Sequence, residues 1–593
     1  MRIEEGFQQP PYLIEHPYLQ DPVLPSLLRR ILPHEIKKSV DSDLTRLGEV
    51  LINDIRPLAS LVHPATVTQY DEFGRRVDNL HTSEGWRRIE AFAIQEGYNA
   101  IAYESDYREY SRTVMFARNM IMTGDCHAIM CPMGMTDGAT RCKSSINLIH
   151  LFGTEAMKRE LLPHLLSRNP ATAYLSGQWM TERPGGSDIS QTETRAVPTE
   201  RADGDLGDPY ILDGLKWFSS AAEGNMAVGL ARTGDVSQGS RGLSLFLIPL
   251  RMGRYPSPLS NGVFLHRLKN KVGTHGVPTA ELELRGTRAW LLGPLNEGVR
   301  CIARMLNITR VHSTVHCVGS LQRCLSIARA YSTVRAVEGG KTLLKDVPMH
   351  VAGLVEITLL YKALANLTFG AIGLLGRSEC GLASAEEEAR LRLLTPTIKG
   401  YAAHWATAGM EQAMGALGGL GYMEEAGIGR LIRDAMVEKI WEGTISVCAL
   451  DLTRAYTDHS VSYPYQWGRS LIQAAQARLH SPALQAVETL SASLERLPIY
   501  FGESVTNALL TTPLLNYFAA ISCALYLLEH ATWSRNVKEA SSEVDLEAFR
   551  RWVEEGEIAH THVQMTKARE DYHRRIALNS KIVYGGDVLA AKL

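Results

Sequence analysis

The sequence predicts an α+β, mainly α fold: an N-terminal helical domain, a middle β-barrel domain, a four-helix bundle and an extra C-terminal helical domain. Three observations carry this. Apolar residues recur at helical spacing before about residue 170 and again after 298. Between roughly 171 and 290, short β-type runs alternate with Gly, Pro, Asp and Ser clusters. After 298, four long amphipathic segments follow one another with short links, the pattern of a bundle. The boundaries fall at 1–170, 171–295, 296–456 and 457–593, consistent with several domains in 593 residues.

In chain order, the first 40 residues are proline-rich and read as loop, and helical spacing begins at 43–61. A polar turn at 71–76 follows, then helices over 83–100, 108–124, 137–152 and 155–168, with Gly153 stopping the third. The β runs are 210–212, 226–230 and 243–250. The bundle helices are 298–337, 347–376, 384–416 and 430–456, and a further helical segment covers about 467–583.

A composition of 45% hydrophobic and 21% charged residues is that of a folded globular chain. A net charge of −2 gives no overall attraction to nucleic acid or anionic lipid. No apolar run reaches the ~18 residues of a membrane span, so none is expected. The nine cysteines lack zinc spacing and read as buried thiols in a reducing compartment, with no metal site. Glu4 and Glu5 argue against a presequence, whereas Ala591-Lys592-Leu593 is a close variant of the peroxisomal address, giving an expected peroxisomal, otherwise cytoplasmic, location.

Three segments carry chemistry. The loop from Met180 through Thr181 and Glu182 to Gly185-Gly186-Ser187-Asp188 offers free N–H groups and a hydroxyl to a pyrophosphate. The segment Asp213-Gly214-Leu215-Lys216-Trp217-Phe218-Ser219-Ser220 reads as a turn entering a strand, where an aromatic can cover a flavin ring and a hydroxyl can bond a ring nitrogen. Finally, Ile440-Trp441-Glu442-Gly443-Thr444 sets a carboxylate among apolar neighbours, which suits a base that removes a carbon-bound proton. Taken singly, each also reads as ordinary structure: a turn, core packing and an exposed glutamate.

Together and in this order, these segments resemble the acyl-CoA dehydrogenase superfamily. Lys271-Val272-Gly273-Thr274-His275-Gly276-Val277-Pro278-Thr279 is similar to its strand motif before the last helical domain, and Leu417-Gly418-Gly419-Leu420-Gly421-Tyr422 to its glycine turn. Within the superfamily, residues 70–78, 131–136, 180–182 and 216–218 resemble the AidB branch, which carries an extra C-terminal helical domain.

The resemblance implies bound FAD, an acyl-CoA substrate and a homotetramer. Met180, Thr181 and Ser187 would meet flavin ring and pyrophosphate; Phe218 stands where many members have a flavin-covering Trp, and Ser220 where they have Thr. Arg335 and the Gly418-Gly419 turn would contact a neighbouring subunit's flavin, Thr444 and Ser446 would finish the site, and Asn307 and Arg310 would lie on the substrate side. Glu442 takes the catalytic position, since the alternative stretch Asn307-Ile308-Thr309-Arg310 holds no carboxylate. Glu338 and Gly415 depart from the pattern at adenine-side positions, as does Gln178 in the first loop. Glu438, another nearby carboxylate, is expected to be a neutral comparison for Glu442.

The implied reaction is α,β-dehydrogenation of an acyl thioester, with the thioester oxygen stabilised as charge develops. Two other readings are a DNA-binding flavoprotein and an acyl-CoA sensor with little turnover. DNA binding is disfavoured, because residues from 451 to the end hold 14 Lys+Arg against 16 Asp+Glu.

Overall fold

The computed structural model describes residues 10–13, 15–104, 107–140, 148–251, 257–456, 458–478, 483–570 and 572–585. The terminal Ala591-Lys592-Leu593 lies outside the described residues.

Helical structure starts earlier than the proline-rich pattern implied, with helices Leu24–Ile31 and His34–Val50. The prolines open these helices instead of breaking them. Pro25 sits in the first turn, where a missing N–H costs nothing, and Pro33 is the cap of the second helix. Asp21 steadies the turn that leads into the first helix, its Oδ1 accepting from the backbone N–H of Val23 at 2.8 Å. Around the expected polar turn, strands Thr66–Tyr70 and Arg76–His81 form a hairpin. Asp71 Oδ1 accepts from the N–H of Phe73 and Arg75 (2.9 and 2.8 Å), and Gly74 supplies the positive φ of +76°.

Helices Glu84–Gln95, Ser111–Thr123, Met130–Ala139, Leu148–Phe152 and Glu155–Leu165 complete the N-terminal region. The single helix expected over 137–152 is therefore two helices, with 141–147 outside the described residues. Every residue of Met130–Ala139 is buried, so its sequence has no polar face from which a boundary could be read.

Seven strands form the middle sheet. The order runs Ser176–Trp179, Met226–Arg232, Arg195–Pro198, Pro209–Ser220, Thr279–Leu291, Leu243–Pro249, with Val263–Leu268 also on Thr279–Leu291. Leu243–Pro249 returns to pair with Met226–Arg232, so the sheet closes on itself as a barrel. Trp179, Leu212, Phe246, Ile248, Leu265 and Leu282 pack its interior. The aromatic segment lies within the strand Pro209–Ser220 and does not open it, a correction to the expected turn. Its register against Thr279–Leu291 shifts twice, between Leu212 and Gly214 and between Lys216 and Ser219. These bulges re-aim side chains locally.

The long helices are Gly298–Ser332, Pro348–Glu379 and Ala385–Ala416. The expected fourth, 430–456, is interrupted: Ile428–Met436 and a tight turn Val437–Lys439 precede Ile445–Arg454. Glu442 (φ +57°) and Gly443 (φ +101°) break the helical path between them.

The chain forms two compact units. The first runs through Glu442, apart from Lys362–Gly370 and Ser384–Tyr401; these stretches join the chain from Gly443 onward in the second. In the second unit, helix Thr511–Asn536 is the buried centre, and Lys362 Nζ lies 2.9 Å from Asp545 Oδ1. Its final described helix, Tyr572–Tyr584, has no buried side chain. Contrary to expectation, Pro348–Glu379 and Ala508–Asn536 are long and apolar enough to cross a membrane, with mean hydropathies of 1.4 and 1.5. Of these apolar windows, 72% and 67% are buried within the protein, as in core helices.

Candidate active site

The Met180–Ser187 loop is tied to the barrel by a buried ion pair. Lys216 Nζ lies 2.5 Å from Glu182 Oε1 and donates to Leu230 O at 2.7 Å, and both side chains are almost wholly buried. Glu182 also accepts from Thr194 Oγ1 and from the N–H of Glu193, each at 2.6 Å. Burial works against this carboxylate, but Lys216 and these donors hold it below the usual range. Trp217 N–H donates to Thr181 O at 3.0 Å where its strand bulges. The loop thus hangs on the aromatic strand, with Ser187 exposed and Met180 and Thr181 half-buried.

Phe218 is 50% exposed, a large apolar ring facing outward from an otherwise well-packed strand. Lys269 Nζ stands 3.3 Å from the Trp217 ring centroid and 4.6 Å from that of Phe218. Lys269 is itself held 2.6 Å from Glu281 Oε1. Ser220 is fixed by Trp179 Nε1 donating to its carbonyl at 3.0 Å, and its hydroxyl lies 3.0 Å from Thr279 Oγ1. A half-exposed phenyl ring on the strand that anchors a glycine-containing loop suits a flat aromatic cofactor.

Glu442 is half-buried and occupies the left-handed region of backbone space, which costs a residue with a Cβ. Thr309 Oγ1 donates to its Oε2 at 2.6 Å, and Arg310 Nε donates to its carbonyl at 3.1 Å. Both come from helix Gly298–Ser332. Arg310, expected on the substrate side, therefore holds the backbone of Glu442. Asn307 lies one turn away and is half-buried. Nothing in the local sequence marks Thr309 as a site residue; its role comes from reaching Glu442 across 133 positions.

Glu438 is fully buried, which removes it as a neutral comparison. Ser313 Oγ and Trp441 Nε1 both donate to its Oε2, and His316 Nδ1 lies 2.8 Å from Oε1. Since Trp441 immediately precedes Glu442, this cluster holds the chain just ahead of that carboxylate. One turn along the same helix, His312 Nε2 meets Asp137 Oδ2 at 2.8 Å. Arg112 bridges Asp137 (2.8 Å) and Glu379 (2.7 and 2.9 Å). Burial alone raises Asp137, but Arg112 and His312 outweigh it and bring the carboxyl down to about 2. Helix Gly298–Ser332 is thus clamped by buried carboxylates at both His312 and His316.

Arg335 is exposed just after that helix, and Gly418 and Gly419 are exposed on a tight turn with nothing within 4 Å of a built Cβ. No geometry links these three to Glu442. In the second unit, Thr444 caps helix Ile445–Arg454, its Oγ1 accepting from Val447 N–H at 3.3 Å, while Ser446 is exposed. Thr444→Ala is expected to cost about 1 kcal/mol, read as a lower urea midpoint.

The sequence profile of the acyl-CoA dehydrogenase C-terminal domain matches residues 296–457, that of the middle domain 177–287, and that of the AidB N-terminal domain 8–168. The Caenorhabditis elegans protein named acyl-CoA dehydrogenase family member 11 is 39% identical over 461 residues, covering 76% of this chain and 72% of its own. The Escherichia coli putative acyl-CoA dehydrogenase AidB is 28% identical over 79% of this chain and 81% of its own. The crystal structure of Caenorhabditis elegans ACDH-11 in complex with C11-CoA superposes with a TM-score of 0.87 at 31% identity, covering 99% and 98% of the two chains. A helical N-terminal region, a closed middle sheet and long C-terminal helices are the acyl-CoA dehydrogenase fold, and the chain belongs to the acyl-CoA dehydrogenase family, in its AidB-like branch.

Proposed function

We propose that the protein is an FAD-dependent acyl-CoA dehydrogenase that removes the α and β hydrogens of an acyl-CoA thioester. The observation that carries this is Glu442, a carboxylate held in left-handed backbone by Thr309 and Arg310 on a helix clamped from behind. Such fixation suits a base that must meet a weakly acidic α proton in one geometry. Phe218 would cover the flavin ring, Ser220 would bond a ring nitrogen, and the Met180–Ser187 loop would receive the pyrophosphate. FAD, when bound, would supply the two-electron acceptor for the β hydride. Glu442 takes the α proton.

The exposure of Arg335, Gly418 and Gly419 favours a role toward a neighbouring subunit's flavin within a homotetramer. The purified protein is expected to be yellow, to bind one FAD per chain and to migrate as a tetramer. Anaerobic mixing with a panel of acyl-CoAs, with C11-CoA included because a relative binds it, should bleach the flavin. A protein that takes up no FAD contradicts the proposal; acyl-CoA binding without bleaching would mark a sensor instead.

A further inference from the structure

Lys271 lies in the loop between strands Val263–Leu268 and Thr279–Leu291, half-buried and, among the described residues, with no carboxylate bonded to its Nζ. Its Nζ donates to Thr274 O at 2.8 Å, Val277 O at 2.7 Å and Thr279 Oγ1 at 3.0 Å. An ammonium has three protons and no lone pair, so these bonds use it fully and Thr279 Oγ1 must be an acceptor. The one proton of Thr279 then belongs to Ser220 Oγ, 3.0 Å away and the remaining acceptor near it among the described residues. Ser220 and Thr279 are opposite one another in the strand pairing, and Trp179 pins the Ser220 carbonyl, so the contact is built into the barrel. With its oxygen receiving that proton, Ser220 is left with its own O–H free to point off the strand.

We propose that Lys271 is a positioning residue that acts through Thr279 to make the Ser220 hydroxyl an obligatory hydrogen-bond donor toward the flavin ring. This rests on the reading that Ser220 faces the flavin. The chain of bonds has a direction only while Lys271 is charged. As a neutral amine it keeps both carbonyl bonds and turns a lone pair toward Thr279; the two hydroxyls then reverse, and Ser220 presents lone pairs outward.

The groups around Lys271 leave that charge finely held. Burial brings its ammonium down to about 8, opposed by Glu223 in the turn after Ser220 and Asp434 on helix Ile428–Met436; Cys131 on helix Met130–Ala139 also faces it, but burial pushes that thiol up so that it stays neutral over this range. Glu223 is itself raised to about 7, chiefly by burial, and shares its surroundings with Glu90 on helix Glu84–Gln95. Asp434 is occupied by Thr274 N–H at 2.5 Å and by Arg430 at 3.3 Å.

The test is the visible spectrum and reduction potential of the oxidised FAD-loaded protein, titrated from about pH 6 to about pH 10, below the ordinary lysine range. Wild type should show one step near pH 8, with the potential lower on the alkaline side. Lys271→Met and Thr279→Val should lose the step, and their flavin reduction by acyl-CoA should be about three- to tenfold slower at neutral pH, the range for one lost hydrogen bond. Lys271→Arg, which stays charged, should keep the low-pH spectrum throughout. A step that persists in folded, FAD-loaded Thr279→Val, which is nearly isosteric, overturns the proposal, as does a wild type with no step. Ser220→Ala separates the two readings. If its spectrum and potential match wild type, the proposal fails because Ser220 does not meet the flavin; if they change while Lys271→Met and Thr279→Val stay like wild type, the relay alone is wrong.

Discussion

Replacing Glu442 with glutamine is expected to slow flavin reduction by acyl-CoA about 10²–10⁴-fold, equivalent to roughly 3–5 kcal/mol of barrier. Glutamine keeps the shape and can still accept the Thr309 hydroxyl, so FAD and acyl-CoA should bind as before. Only the basic oxygen is lost, and more substrate should not restore the rate. Single-turnover absorbance under anaerobic conditions measures this directly. Glu488, an exposed helix carboxylate, is the suitable comparison, because buried Glu438 holds Trp441 in place. Reduction of Glu442→Gln at the wild-type rate would falsify the assignment of the base.

The largest stability effect is expected at Arg112. Its guanidinium is 1% exposed and serves both Asp137 and Glu379, with Tyr103 OH 3.2 Å away. Arg112→Met leaves two buried carboxylates without their cation, a change that costs about 3–5 kcal/mol. Thermal melts should show the first transition falling, and acidification should recover part of the loss. The sign follows from Asp137. Held at about 2 in the folded wild type against an ordinary 3.8, it stabilises the protein above the unfolded value, and this is lost only as pH falls through about 2. Without Arg112, burial raises the same carboxyl, so protonation at mildly acidic pH relieves the variant where it does nothing for wild type. Because His312 shares Asp137 and sits on the helix carrying Thr309 and Arg310, loss of activity should accompany loss of stability. An Arg112→Met protein that melts like wild type at neutral pH contradicts the clamp.

The parts of the proposed site that the sequence could suggest are those built from contiguous residues. The Met180–Ser187 loop, the Lys216–Ser220 segment and the Glu442 turn each hold their proposed contacts within a few positions; a register shift falls in the second and a left-handed φ in the third. What sequence could not reveal depends on residues brought from far away. Thr309 reaches Glu442 across 133 positions, and Ser313 reaches Glu438 across 125. Burial misled in the same way: Glu438 looks like a solvated carboxylate until His316 and Trp441 are beside it. The early helices were missed because proline is ambiguous alone, a breaker in mid-helix and a starter in the first turn. Helix Met130–Ala139 was displaced because full burial erases amphipathic spacing.

The left-handed backbone at Glu442 also bears on which side chains this position can accept. A Cβ there costs about 1–2 kcal/mol that glycine would not incur, and the following Gly443, at φ +101°, already takes the more extreme conformation. Folding alone favours two glycines in succession. Under the proposed function, a glutamate at 442 is a residue that stability disfavours and chemistry retains, and random substitutions selected only for a more robust fold should drift toward discarding it.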